Sequence, residues 1–307
     1  ARTFWGTAVL DGMGAFTASI NDNLASVVMG PIPLSETYTV AADRETVLFA
    51  TDIVSYAGWT NASGTLAVTG SITPLSDPTA LALIKRGSGF SLASLSGTYR
   101  FGAFGVFGAQ TLSYFGTITF DGAGSFSISL GINNEGAVSP PSASAGTYTL
   151  AANGEVGLMF GGGDSFTGTM LPDGGMALLS GGTLNGEAPL GVAITPTTAG
   201  ATDGTLTGTY QLIGIERDGG GYTSLTGSVV ANGSGVLTAS FTRNTDGAIT
   251  TSGPDLLTYS VAADGTLTVD PLADMFVGGV SPTGDYAFLS GPSAAASNPK
   301  FFVLMRR

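Results

Sequence analysis

Two short patterns in this chain have the residue types of a ligand site. Asp11-Gly12-Met13-Gly14 and Asp121-Gly122-Ala123-Gly124 place a carboxylate beside backbone carbonyls, the hard oxygen donors that calcium prefers. The third copy has Asn232 at the aspartate position, and no acidic partner follows at loop spacing, so tight hairpin turns are the expected structures. Glycine triplets at 161–163 and 219–221 have the composition of a phosphate cradle. Neither is followed by Gly-Lys-Ser/Thr, which makes them turning loops. Glycoside hydrolysis needs two acids facing one cleft, whereas Asp43, Asp164, Asp173 and Asp264 mostly stand in turn-like glycine or alanine contexts. Asn61-Ala62-Ser63 and Asn232-Gly233-Ser234 match the short glycosylation pattern.

The chain has no cysteine and no histidine. That removes disulfides, thiolate metal sites, cysteine nucleophiles, the commonest general base and the commonest metal ligand. The expectation is a protein that is not an enzyme, with no catalytic residues, cofactor or metal. Ten basic against 22 acidic residues give a net charge of −12, so nucleic acid is not expected as a partner. Charged residues make up only 10% of the 307, against about 25% in an ordinary soluble domain. Together with 48 glycines, this suits many strands joined by tight turns, with threonine and serine covering the outside. A hydrophobic share of 43% is enough to build real cores. No apolar run approaches the roughly 18 residues of a membrane-spanning helix.

The elements that would position these residues are written three times. ETYTVAADRE (36–45), GTYTLAANGE (146–155) and LTYSVAADGT (257–266) share one pattern. Tyr38, Tyr148 and Tyr259 are 110 and 111 positions apart, and Asp11, Asp121 and Asn232 keep the same spacings. Two independent landmarks in one register establish an internal repeat. Around the turns the copies read WGTAVLDGMGAFTASI (5–20), FGTITFDGAGSFSISL (115–130) and TGSVVANGSGVLTASF (226–241). Each alternates apolar and hydroxylated residues about an Asp-Gly or Asn-Gly pair, the signature of a hairpin.

A second hairpin closes at the repeated tyrosine motif. A third appears as SYAGWTNASGTLAVTG (55–70), FTGTMLPDGGMALLSG (166–181) and FVGGVSPTGDYAFLSG (276–291), and the closing strands are LALI (81–84), LGVAI (190–194) and FFVLM (301–305). No stretch shows a 3.6-residue period over helix length. Eight strands are counted in the second copy, beginning at LSGTYRF (95–101). Eight sequential antiparallel strands with one apolar face close into an up-and-down barrel, with a two-sheet sandwich as the alternative. The expected fold is therefore all-β, with three tandem antiparallel units at 1–86, 95–194 and 206–307. Glycine-, serine- and threonine-rich linkers at 87–94 and 195–205 join them.

Units 2 and 3 open with matching strands, LSGTYRF at Leu95 and LTGTYQL at Leu206, and the repeat places the equivalent strand of unit 1 before Ala1. A seven-stranded unit leaves unpaired edges at Thr3 to Leu10 and Leu81 to Arg86, with Thr3, Trp5, Thr7, Val9, Leu81, Leu83 and Lys85 as candidate assembly residues. The alternatives are that the unit closes with seven strands, that its register shifts, or that the strand lies in a precursor segment.

The openings LSGTYR and LTGTYQ resemble the first strand of the calycin group, the lipocalins and avidin-like barrels, where Gly-x-Trp opens an eight-stranded meander. The resemblance implies a barrel with a small-ligand pocket, although Tyr99 and Tyr210 stand at the tryptophan position. The tandem repeat is also similar to β-rich units of secreted bacterial proteins of unassigned function, which implies an extracellular setting. The expected function is a secreted, cell-surface structural or adhesive protein. It would self-assemble as a homopolymer, a filament or surface layer, through β-edge completion at unit 1. A calycin-like ligand-binding module is the alternative. An outer-membrane barrel ranks lower because the strands read as mostly six to eight residues, short of the 9–11 or so needed to span lipid.

Overall fold

The computed structural model describes residues 2–24, 27–50, 54–71, 80–107, 110–134, 136–180, 189–218, 221–270, 275–291 and 299–307. Unit 1 comprises β1 (Arg2–Leu10), β2 (Ala15–Leu24), β3 (Val27–Val40), β4 (Glu45–Ala50), β5 (Val54–Thr60), β6 (Leu66–Ser71) and β7 (Ala80–Ile84). Unit 2 comprises β8 (Ser96–Phe107), β9 (Gln110–Asp121), β10 (Ser125–Asn134), β11 (Ala137–Leu150), β12 (Glu155–Phe160), β13 (Ser165–Met170), β14 (Ala177–Ser180) and β15 (Pro189–Pro196). Unit 3 comprises β16 (Thr207–Asp218), β17 (Gly221–Asn232), β18 (Val236–Thr245), β19 (Ala248–Val261), β20 (Thr266–Asp270), β21 (Phe276–Val280), β22 (Tyr286–Ser290) and β23 (Lys300–Arg306).

The protein is all-β. Units 2 and 3 are closed antiparallel eight-stranded barrels, each strand pairing with its sequence neighbours and the last returning to the first. This decides between barrel and sandwich for those units. Short 3-10 turns, Leu92–Ser94 and Asp203–Thr205, lead into β8 and β16.

Period-two alternation explains how the barrels fill. In β10, Phe126 and Ile128 are buried while Ser125, Ser127 and Ser129 face outward. Barrel 2 is packed by aromatic rings in edge-to-face contact, with Phe120 lying 5.3 Å from Tyr99, 4.9 Å from Tyr148 and 6.0 Å from Phe126. The chain continues from Phe126 to Phe160 at 5.1 Å and to Phe166 at 5.5 Å. Such pairs each add about 0.5–1.5 kcal/mol beyond the area they bury. Barrel 3 is filled by Tyr210, Leu212, Val229, Leu237, Tyr259, Val269, Phe302 and their neighbours.

One glycine recurs at the same place in all three sheets because the neighbouring strand comes too close for a side chain. A Cβ on Gly6 would meet Ser19 O at 2.0 Å, one on Gly116 would meet Ser129 O at 1.9 Å, and one on Gly227 would meet Ser240 O at 2.1 Å. The adjacent strand carries a register shift nearby in every copy, between Ile20 and Asp22, Leu130 and Ile132, and Ala239 and Phe241. A bulge beside a close approach coils the sheet, as closure requires.

Several strands are longer than the sequence pattern suggests, reaching 12 residues in β8, β9, β16 and β17 and 14 in β11 and β19. Proline- and serine-rich runs such as AVSPPSAS have loop composition, yet β10 pairs with their backbone along most of its length. Length therefore no longer separates these barrels from lipid-spanning ones. Within barrel 2 the lumen is filled by apolar side chains, whereas a lipid-facing barrel has a polar lumen, and serines alternate outward along β10.

A third apolar core lies between the units. Leu66, Met176 and Tyr286 occupy one repeat position, fixed by identical turn bonds in which the Asn61, Leu171 and Ser281 amides donate to their carbonyls. All three side chains join Val68, Phe104, Ala193, Ile213, Phe288, Phe301, Val303 and Met305 in one cluster. The contacts run head to tail. The opening strand β16 packs on β5, β6 and β7, while β8 packs on β21, β22 and β23. From unit 1, β1 packs on β14 and β15 of unit 2. Polar contacts repeat as well, with Asn133 Nδ2 donating to Gly291 O at 3.0 Å and Asn244 Nδ2 to Ser71 Oγ at 2.9 Å.

Candidate functional site

The candidate site is the open side of unit 1. Its strands run in the order β1 to β7 without closure, so neither β1 nor β7 has a partner strand beyond the sheet among the described residues. In the closed barrels the strand bonded to both equivalent edges is the opening one, β8 on β9 and β15, and β16 on β17 and β23.

The inward face differs between copies although its chemistry is the same. Leu10 is 43% exposed, whereas its counterparts Phe120 and Ala231 are 2% and 3% exposed. Phe16, Ala18 and Ile20 are half-buried, while Phe126 and Ile128, and Leu237 and Ala239, are buried. An exposed apolar face of this kind marks a surface that other protein can cover.

A tyrosine shows the same difference between the copies. Tyr148 Oη donates to Leu92 O at 2.9 Å and to Leu95 O at 2.8 Å, and Tyr259 Oη donates to Asp203 O at 2.9 Å and to Leu206 O at 2.7 Å. Those carbonyls belong to the 3-10 turn and the residue that begins the opening strand. Tyr38 has the same backbone setting, its amide donating to Gly14 O just as Tyr148 and Tyr259 donate to Gly124 O and Gly235 O. Its hydroxyl accepts the Gly12 N–H at 2.9 Å. Burial pushes the Tyr148 and Tyr259 phenols above the ordinary tyrosine value.

Of the residues expected at the edges, Thr7 and Val9 lie on β1 with exposed side chains, Val9 at 68%. Leu81 and Leu83 lie on β7 and are half-buried. Thr3 and Trp5 belong to β1, but their side chains lie outside the described part of the structure. The second edge is shorter than expected. β7 ends at Ile84, and the Lys85 amide donates to Thr65 O at 2.9 Å, so Lys85 and Arg86 leave the strand. Sequence reasoning found Tyr38 only as a repeat landmark and missed the role of its hydroxyl and the lead-in turn, whose signal is the shared spacing of SLASLSGTY (91–99) and TDGTLTGTY (202–210).

The other candidate chemistry resolves into turns. Asp121 Oδ1 accepts the Ala123 and Ser125 amides at 2.7 and 2.9 Å, and Asp11 Oδ1 accepts those of Met13 and Ala15 at 2.7 and 3.0 Å. Asn232 Oδ1 does the same with Ser234 and Val236 at 2.7 and 3.0 Å, so the carboxylate charge is dispensable to the turn. Backbone hydrogen bonds, from Met13 and Ser125 foremost, hold the Asp11 and Asp121 carboxyls below their ordinary value. Among the described residues no group of three acidic side chains is placed to hold a metal ion. Residues 161–163 form a turn after β12, and 219–220 of the second glycine triplet lie outside the described residues. One carboxylate is deeply buried. Glu216, 3% exposed, meets Arg243 at 2.5 Å and Lys300 at 3.3 Å, an ion triad inside unit 3.

No protein-family model and no curated protein matches the chain. Solved structures do. The isotype 1 transferrin binding protein B of serogroup B Neisseria meningitidis aligns over 98% of this chain and 66% of its own, at 8% identity and a TM-score of 0.33. A protein of unknown function from the DUF3598 family of Nostoc punctiforme aligns over 71% of this chain and 99% of its own, at 10% identity and a TM-score of 0.23. The present chain thus spans just under two thirds of the neisserial one.

Proposed function

We propose that the protein is a secreted structural or adhesive component of a cell surface, without catalysis, and that it associates with other chains through the open side of unit 1. The observation that carries this reading is the contrast between one repeat position that is solvent-exposed at Leu10 and sealed at Phe120 and Ala231. Low charge, a hydroxyl-rich exterior and the absence of histidine and cysteine fit a durable surface better than a reactive pocket. The calycin-type alternative needs an apolar cavity inside each barrel. The interlocking rings of barrel 2 occupy that space instead.

Electron microscopy and sedimentation of the purified protein test this reading. Filaments, sheets or large oligomers are the expected result. A monomer at every concentration, with a small molecule recovered from its barrels, would overturn it in favour of ligand binding.

A further inference from the structure

We propose that the cleft between barrels 2 and 3 binds one neutral sugar residue of a glycan. This site is separate from the open side of unit 1 and goes beyond the assembly reading.

The cleft starts from strand register. Arg100 of β8 stands opposite Thr117 of β9, and Thr117 stands opposite Ser129 of β10, so a guanidinium and two hydroxyls line up across three neighbouring strands. All three lie on the outward face, since Phe101, Ile118 and Ile128 beside them fill the core. Phe115, two residues before Thr117, shares that face. Its ring lies over Gly131, its partner on β10, where a Cβ would meet Phe115 Cζ at 2.5 Å. Pro141 of β11 and Val277 of β21 form the sides, and the cleft has a volume of about 260 Å³. Sites for drug-sized ligands run from about 300 to 1,000 Å³, so this one suits a single ring-sized group.

Unit 3 supplies the far wall because β8 packs on β21. Arg100 fixes that joint. Asp264, in the turn between β19 and β20, accepts the Thr266 amide and hydroxyl on Oδ1 at 3.0 and 2.7 Å, and its Oδ2 accepts from Arg100 Nη2. A guanidinium carries five N–H donors in a planar fork, and this bond uses one of them. Arg100 Nε has no hydrogen-bond partner among the described residues. Donor capacity therefore remains in a side chain that lines the cleft.

The lining selects the class of ligand. A phenyl ring offers an apolar face to the C–H side of a pyranose, while the Thr117 and Ser129 hydroxyls and the guanidinium match the hydroxyls around its rim. An acidic sugar is disfavoured, because Asp264 already neutralises Arg100 and the chain carries −12 overall. The corresponding row of unit 3 shows that the repeat alone does not produce the feature. It reads Gln211, Ser228 and Ser240, with Thr226 at the phenylalanine position, and Gln211 is buried where Arg100 is half-buried.

Amide-resonance titrations of the full chain test the site, with the methyl glycosides of glucose, galactose, mannose and N-acetylglucosamine as probes and methyl glucuronoside as the acidic counterpart. At least one neutral glycoside should bind saturably, with shifts centred on Arg100, Phe115, Thr117, Ser129 and Val277, and more tightly than the glucuronoside. Arg100→Lys keeps a cation for Asp264 but loses the fork, and Thr117→Val loses one hydroxyl. Each should weaken binding about fivefold, the loss of one hydrogen bond. Ser127→Ala, exposed on β10 outside the cleft, should leave binding unchanged. Ser129→Tyr, also at an exposed position, should fill the cleft and abolish binding without disturbing the core. No shift at these residues up to the solubility limit of every neutral glycoside, binding unaltered by Ser129→Tyr, or tighter binding of the glucuronoside would overturn the proposal. Sedimentation of the same samples reports assembly separately. A chain that binds sugar but stays monomeric upholds the cleft and counts against the assembly reading, and one that polymerises without binding sugar does the reverse.

Discussion

Replacing the repeated tyrosine with phenylalanine in each unit should give unequal costs. In unit 2 the ring of Tyr148 stays packed against Phe120, 4.9 Å away, so Tyr148→Phe removes only the hydroxyl and its bonds to Leu92 O and Leu95 O at 2.9 and 2.8 Å. Leu95 is fully buried and Tyr148 is 3% exposed, so water cannot fully replace the lost donor. The phenol has one proton, which the two carbonyls share, so at about 1 kcal/mol net for that bond the cost is about 1 kcal/mol, which raises the opening equilibrium of the barrel about fivefold. Tyr259→Phe should behave alike in unit 3, where the two bonds are 2.9 and 2.7 Å. Tyr38→Phe loses one bond, accepted from Gly12 N–H in an exposed turn where water substitutes, and should cost no more than about 0.5 kcal/mol. Hydrogen exchange resolves the units separately, which a single melting curve of a three-unit chain does not. The reporter amides are those of β8 with β9, β16 with β17, and β1 with β2. Equal acceleration in all three units would refute the claim that this tyrosine acts by tying down the opening strand.

Further outcomes follow from the same geometry. Glu216→Gln should destabilise unit 3 by about 3 kcal/mol, because it leaves Arg243 and Lys300 without their buried anion; urea denaturation followed by exchange at β16 and β18 checks it. Gly116→Ala should prevent barrel 2 from closing normally, since its Cβ would sit 1.9 Å from Ser129 O, and loss of dispersed amide resonances in Phe115 to Leu130 would show it. Asp121→Asn should leave the melting temperature essentially unchanged, because Asn232 makes the same two turn bonds in unit 3, and added calcium should not shift the melting temperature of either form. Alkaline titration should weaken the fold. Burial raises the Tyr210 phenol to about 12 from the ordinary 10.0, so native protein favours the protonated ring. Its stabilisation is complete below pH 10 and is lost as pH rises toward 12, measurable as a falling melting temperature that Tyr210→Phe flattens.

The architecture was legible because the repeat is periodic in two senses. Alternation at period two fixed which face of each hairpin is apolar, as Phe126 and Ile128 against Ser125 and Ser127 show, and Asp-Gly or Asn-Gly pairs fixed the turns. The spacing of Tyr38, Tyr148 and Tyr259 then counted the units. Strand ends were less legible. Runs such as Ala137 to Ser144 have loop composition and become strand only because β10 offers its backbone, and Lys85 leaves β7 because its amide turns to Thr65 O.

What only the tertiary structure decided is how the three units share surfaces. Leu66, Met176 and Tyr286 are unlike one another as residues, and nothing local marks them as one cluster. They meet because each unit presents the same outward position to the same central space. The role of Tyr38 was hidden for a related reason, since a phenol donating to a carbonyl 53 residues away in its sister copies leaves no local pattern. Sequence determines facing and count through short-range periodicity. Closure, the shared core and the chemistry of the cleft between barrels 2 and 3 depend on contacts between distant residues, which only the folded chain brings together.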